Sequence, residues 1–223
     1  MTNVFGFSTQ SSDGNSDITP VLKYDARAGR LFRVDRVQTA SGWEVNPVDI
    51  TSTFKALVDL ENIEVGWLLF AAGAAPQFAL VRMGEALPAR PTPDFKNGVR
   101  FMLKLTKDNG GDIREIAGTS KVFLQGVEAL YLEYKAGVAD NPGKLPIVSL
   151  VKTTPIKSGS GAQTSTNYAP VFKIEGWGSR GDLVFKAKSA GTAPASVTPP
   201  STGSTPLPPP VARTPEPVEH EFG

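Results

Sequence analysis

Residues 119–137, TSKVFLQGVEALYLEYKAG, decide how the rest of the chain is read. Phe123, Val127, Leu130 and Tyr134 recur at helical spacing and lay one apolar stripe along a single face. Ser120 stands where an N-terminal cap is wanted, and Gly137 where a C-terminal one is. Gly126, inside the pattern, costs such a helix about 1 kcal/mol relative to alanine. On either side the period changes to two. In VRFMLKLT (99–106), Val99, Phe101, Leu103 and Leu105 point one way, while Arg100, Met102, Lys104 and Thr106 point the other. RLFRVDRV (30–37) alternates in the same manner, and FKALVDL, EVGWLLF and QFALVRM are further strand candidates before the helix. After it, LPIVSLVKTT and APVFKIEGW make a pair.

Several strands, one helix over about 120–137, then a last strand pair: this order predicts a mainly β domain, an OB-like Greek-key barrel with one packed helix. Such barrels commonly set a helix between the third and fourth strands and lay the final loop over an oligonucleotide. The domain is expected over residues 20–188. From about Ala190 the composition turns to Pro, Ser, Thr, Ala and Gly, too poor in apolar surface to offset the entropy of ordering. Residues 1–19 and 189–223 are therefore expected to be disordered, the latter a Pro-rich linker ending in an acidic tail.

Bulk properties narrow the function. The chain has 223 residues and no cysteine, which removes disulfides and thiol chemistry. Its longest apolar run, GWLLFAAGAA, falls well short of the ~20 residues of a membrane helix. Residues 1–17 show no basic or apolar stretch of a signal peptide, so a cytoplasmic location is expected and no membrane partner. The net charge of +1 conceals a basic middle, 22 Lys and Arg against 17 Asp and Glu, between two acidic ends. His220, the single histidine, lies in the tail, so the domain has no imidazole for a triad or a zinc site. Carboxylate-metal chemistry through Asp25, Asp35, Asp49, Asp108, Asp112 or Glu115 is the remaining enzymatic option. Asp108 and Asp112 flank NGG, which reads more simply as a hairpin turn. A binding protein is expected, with no cofactor, metal or catalytic residue.

Two segments carry the candidate interface. Between Lys157 and Ala169 lie about a dozen small polar residues closing on Tyr168, flanked by Lys152, Lys157, Lys173 and Arg180. GSGAQTST within it lacks the lysine and following helix of a phosphate loop. On the closing strand Phe172 and Ile174 should face the core, leaving Val171, Lys173, Glu175 and Trp177 outward. Lysines release counterions from phosphates, and exposed rings stack on bases for about 1–3 kcal/mol each. In KYDARAGRLFRVDR (23–36), Arg27, Arg30 and Arg33 surround a tight turn at Gly29 and can grip a phosphate backbone. A salt-bridged hairpin, with Asp25 and Asp35 as partners, is the alternative there. Trp43, in an expected loop, and Arg100 and Lys104 on the outer side of their strand complete the set.

A basic β-rich domain, a Pro-rich tether and an acidic tip bearing Glu216, Glu219, Glu221 and Phe222 resemble single-stranded-DNA-binding proteins of the bacterial and tailed-phage type. STNYAPVFKIEGW and KYDARAGRLFRVDR also resemble segments of small phage and prophage proteins. The resemblance implies an OB-fold that holds single-stranded DNA in replication or recombination, and a tip that docks partner proteins. It departs in two respects: the family's tip ends on Pro-Phe, whereas Gly223 follows Phe222 here, and this tip is less acidic, three carboxylates with His220 among them. Competition of those acids with phosphate for the domain's basic groove is the alternative to partner docking. A head or tail accessory subunit of a phage, assembling as a homo-oligomer, is the competing expectation.

Overall fold

The computed structural model describes residues 19–160 and 164–186. The expectations for the two ends, including the tail residues Glu216, Glu219, Glu221 and Phe222, lie outside the described residues. Among the described residues ten strands and one α-helix follow in order: β1 Val21–Asp25, β2 Arg30–Thr39, β3 Gly42–Asp49, β4 Lys55–Val58, β5 Glu64–Leu69, β6 Gln77–Arg82, β7 Lys96–Leu105, β8 Ile113–Gly118, α1 Lys121–Gly137, β9 Lys144–Ser158 and β10 Ser165–Ser179.

The strands lie side by side as β10-β9-β4-β7-β8-β1-β2-β3, with the β5–β6 hairpin paired to the first half of β7. Strands β4, β7 and β8 run antiparallel in succession, and β9 returns through α1 to lie beside β4. That is a Greek-key order. With β10 added, α1 falls between the third and fourth strands of a five-strand set. The mainly β fold with a single helix and a mixed sheet is as expected, and it is consistent with an OB-like barrel. Two features enlarge the five-strand plan. The β5–β6 hairpin is inserted between β4 and β7, and β1–β3 continue the sheet past β8, where β1 pairs in parallel over Val21–Leu22. Tyr168 N–H donates to the Ala26 carbonyl at 2.7 Å, so the sheet curls back toward itself.

Alternation fills the core as the sequence requires. Phe101, Leu103 and Leu105 of β7 meet Ala56, Val58, Ile116 and the helical stripe Phe123, Val127, Leu130 and Tyr134. Ser120 is the N-cap residue. Gly137 is not the C-terminal cap: its φ of −104° keeps it right-handed, and a 3-10 turn, Val138–Asp140, follows. Both helical glycines have a packing reason. A Cβ on Gly126 would stand 2.5 Å from the Pro170 carbonyl oxygen, and one on Gly137 2.8 Å from the Trp177 ring. The helix presses onto β10 where it carries no side chains.

The outer side of β7 is also covered. Leu183 is fully buried against Met102 and Leu145, with Leu57, Ile113 and Phe185 around them. Arg180 clamps Asp59 through two hydrogen bonds of 2.7 and 3.1 Å and reaches Glu61 at 2.6 Å. Asp182 pairs with Lys104 at 2.5 Å. Residues 180–186 therefore form a strap over this face. Among the described residues no helix is long and apolar enough to cross a membrane.

Candidate nucleic-acid interface

The β1–β2 turn is built by its own side chains. The Asp25 carboxylate accepts the N–H groups of Arg27 at 2.9 Å and Ala28 at 3.1 Å, so Asp25 shapes the backbone rather than neutralising an arginine. Gly29 adopts φ +66°, and a Cβ there would meet the Tyr168 side chain at 2.9 Å. Both facts require glycine. The turn consequently lies against β10, where Tyr24 Oη–H donates to the Tyr168 carbonyl at 2.8 Å. Burial first, and Asp25 second, push the Tyr24 hydroxyl up to about 12, so it keeps that proton throughout the ordinary pH range.

Strand β9 pairs with β4 only over Ile147–Ser149. Beyond that, β9 and β10 continue as a two-stranded ribbon to Ser158 and Ser165. The long polar loop expected between Lys157 and Ala169 is thus shortened, because Ser158 and Ser165–Tyr168 already belong to the ribbon, where Thr, Ile and Tyr on facing positions suit a ladder. Between the ribbon and the β1–β2 turn opens a groove of about 800 Å³ lined by Gly29, Arg30, Asp49, Ser52, Lys152 and Thr153 among others. Arg30 is matched by Asp49 at 2.5 Å. The Thr51 hydroxyl and backbone N–H, then Arg30, hold the Asp49 carboxyl down to about 2. Arg27, Lys152 and Lys157 are exposed and form no ion pair among the described residues, leaving this region cationic. Lys173 is exposed on β10, two positions from Val171, the ladder partner of Lys152.

Other expected contacts lie elsewhere. Arg100 is completely buried between Glu64 and Glu115 and cannot touch a ligand. Lys104 and Arg180 are engaged by the strap described above. Arg33 is held by Asp35 and by the Asn109 carbonyl at 2.8 Å, the salt-bridged alternative for that strand. Trp177 faces the helix, its ring 5.8 Å from that of Tyr134. The cause is an irregularity in β10 between Ile174 and Gly176. One extra residue reverses the side to which later residues point, so strict alternation from Phe172 gives the wrong face. Trp43 is not in a loop but in β3, 59% exposed; it shares a face with Val45, whereas Val37, the ladder partner of Glu44, lies on the other face. Of the carboxylates considered for metal chemistry, Asp35 and Asp112 hold Arg114, Glu115 holds Arg100, Asp49 holds Arg30 and Asp25 shapes its turn.

A second cavity was not legible in the sequence. Where β1 and β8 part after Leu22, a pocket of about 540 Å³ is walled by Val21, Tyr24, Phe70, Phe78 and Phe123, with Lys23 at its side. The Phe70 ring is 49% exposed and meets Phe78 edge-on at 6.3 Å. Phe70 and Phe78 end and begin two apolar runs, EVGWLLF and QFALVRM, which signals strands. It does not signal that their hairpin overhangs β1.

Comparison of the chain with known protein families, characterised proteins and solved structures gave no match.

Proposed function

We propose that this chain binds single-stranded DNA without strong sequence preference, as a phage or prophage replication or recombination protein acting in the host cytoplasm. The supporting observation is the groove between the β1–β2 turn and the β9–β10 ribbon, with Lys152 in its wall, Arg27 in the turn and Lys157 farther along the ribbon, none of them in an ion pair among the described residues. A two-stranded ribbon beside a cationic turn can follow a flexible backbone and neutralise several phosphates, with no need for a catalytic group. The acidic tail would serve partner proteins.

Anisotropy of a labelled oligonucleotide, titrated across salt concentrations, tests this. Affinity should fall steeply with salt and be weaker for duplex. Lys152→Ala and Lys157→Ala should each weaken binding alike for all sequences and lower the salt slope by about 1. Wild-type affinity in the combined variant would remove the groove from consideration.

One observation favours assembly instead. Strand β3 ends the sheet, and Val37, Trp43 and Val45 are 46%, 59% and 66% exposed on its hairpin. Apolar side chains beside a free sheet edge invite another copy. Stable multimers of the DNA-free chain in sedimentation would favour the head or tail subunit.

A further inference from the structure

The pocket between β1 and the β5–β6 hairpin is apolar, aromatic and open to solvent at Phe70 and Val21, which are 49% and 36% exposed. We propose that residues Val4–Phe7 of the same chain, VFGF, dock in it. Three features select this occupant. First, residues 1–18 lead directly into β1, and the first residues of that strand, Val21–Tyr24, are the pocket wall. A tethered segment faces its site at roughly millimolar effective concentration, so even a weak contact is largely formed. Second, the large apolar side chains of residues 1–17, Met1 aside, are concentrated in Val4, Phe5 and Phe7. Two phenyl rings bring roughly 150–250 Å² of surface each and suit a wall of Phe70, Phe78, Tyr24 and Phe123 through edge-to-face and offset contacts. Gly6 between them allows both rings to turn to one side. Third, residues 1–18 hold Asp13 and Asp17 and no Lys or Arg, and the cation beside the pocket is Lys23.

Reach permits it. Residues 8–18 separate Phe7 from the first described residue, and at about 3.3–3.6 Å each they span more than the distance required to double back along one short strand. SSDGNSD supplies the turn-forming residues for that reversal. Docking would hold the β5–β6 hairpin onto β1, two elements that share no ladder.

Hydrogen exchange on the full chain, without nucleic acid, tests the docking apart from the function proposed above. Phe5→Ala/Phe7→Ala should quicken amide exchange across Phe70–Phe78 and at Lys23–Tyr24 by about tenfold. These substitutions lie outside the described residues, and an unchanged far-UV circular dichroism spectrum of the variant checks that the sheet is retained. Phe70→Ala should give the same quickening, with nothing further when all three changes are combined. Unchanged exchange in the Phe5/Phe7 variant, or fully additive effects, would overturn the proposal. Light scattering adds a separate outcome: a wild-type dimer that becomes monomeric in the variant would mean the segment comes from a second copy, which also overturns it.

Discussion

Arg100 shows what a charged residue on a strand can mean. No solvent reaches its side chain. Nε and Nη2 donate to Glu115 Oε2 at 3.2 and 3.1 Å, Nη1 to Glu64 Oε2 at 2.5 Å, and Nη2 also to the Lys186 carbonyl at 2.8 Å. One cation thus serves two buried carboxylates. Burial raises the Glu64 pKa above its ordinary 4.5, with Arg100 opposing that rise. Arg100→Leu would remove the guanidinium that both acids share, and should cost about 3–5 kcal/mol at neutral pH. The sign of the pH dependence follows. A carboxyl whose folded pKa lies above its unfolded value favours the folded state more as pH falls through the folded value. The deficit of the variant should therefore shrink between neutrality and about pH 4.5, as urea titrations at several pH values would show. Sequence alternation places Arg100 opposite Val99 and Phe101, and that much is correct. It does not reveal that a segment some eighty residues later closes over the polar side, because that depends on the strap's route and not on local pattern.

At the scale of elements, α1 was the most legible piece of the chain and also holds an apparent contradiction. All four residues of its stripe are buried, with Val122 beside them, yet Gly126 interrupts its interior. The close approach to the Pro170 carbonyl resolves this. Gly126→Ala should raise intrinsic helix propensity by about 1 kcal/mol and still lower stability, since a backbone oxygen 2.5 Å away cannot yield without moving β10. A net loss of about 1–3 kcal/mol in chemical denaturation is expected, and a stabilised variant would contradict the packing described. Strand β10 illustrates the opposite limit. Its existence and Phe172 and Ile174 as core residues follow from period two, whereas the irregularity before Gly176 leaves no compositional mark and carries Trp177 to the helix. The candidate interface was accordingly half legible: the turn and ribbon lysines stand together, while the residues assigned by extending a regular pattern do not.

For the molecule as a whole, the described body is closed by residues 180–186. Leu183 is fully buried on the outer side of β7, so that strand is covered on both faces. Leu183→Ala should cost about 2–5 kcal/mol, comparable to a central core truncation, and thermal melts can check this. An effect below 1 kcal/mol would show the strap to be dispensable. Leu183 and Phe185, which build the strap, are the last large apolar side chains before the composition turns to Pro, Ser and Thr after Ala190.

The parallel pairing of β1 with β8 also sets an order of events during synthesis. Strands β1–β3 leave the ribosome first, but the partner that seats β1 is made much later. At typical elongation rates the wait is roughly 5–20 s. Through that interval the early meander displays Leu22 and Leu31, both buried in the finished fold, with no sheet behind it. The nascent chain is therefore most exposed to mispairing and chaperone capture before Gly118 is translated, and rare codons in that stretch would lengthen the hazard.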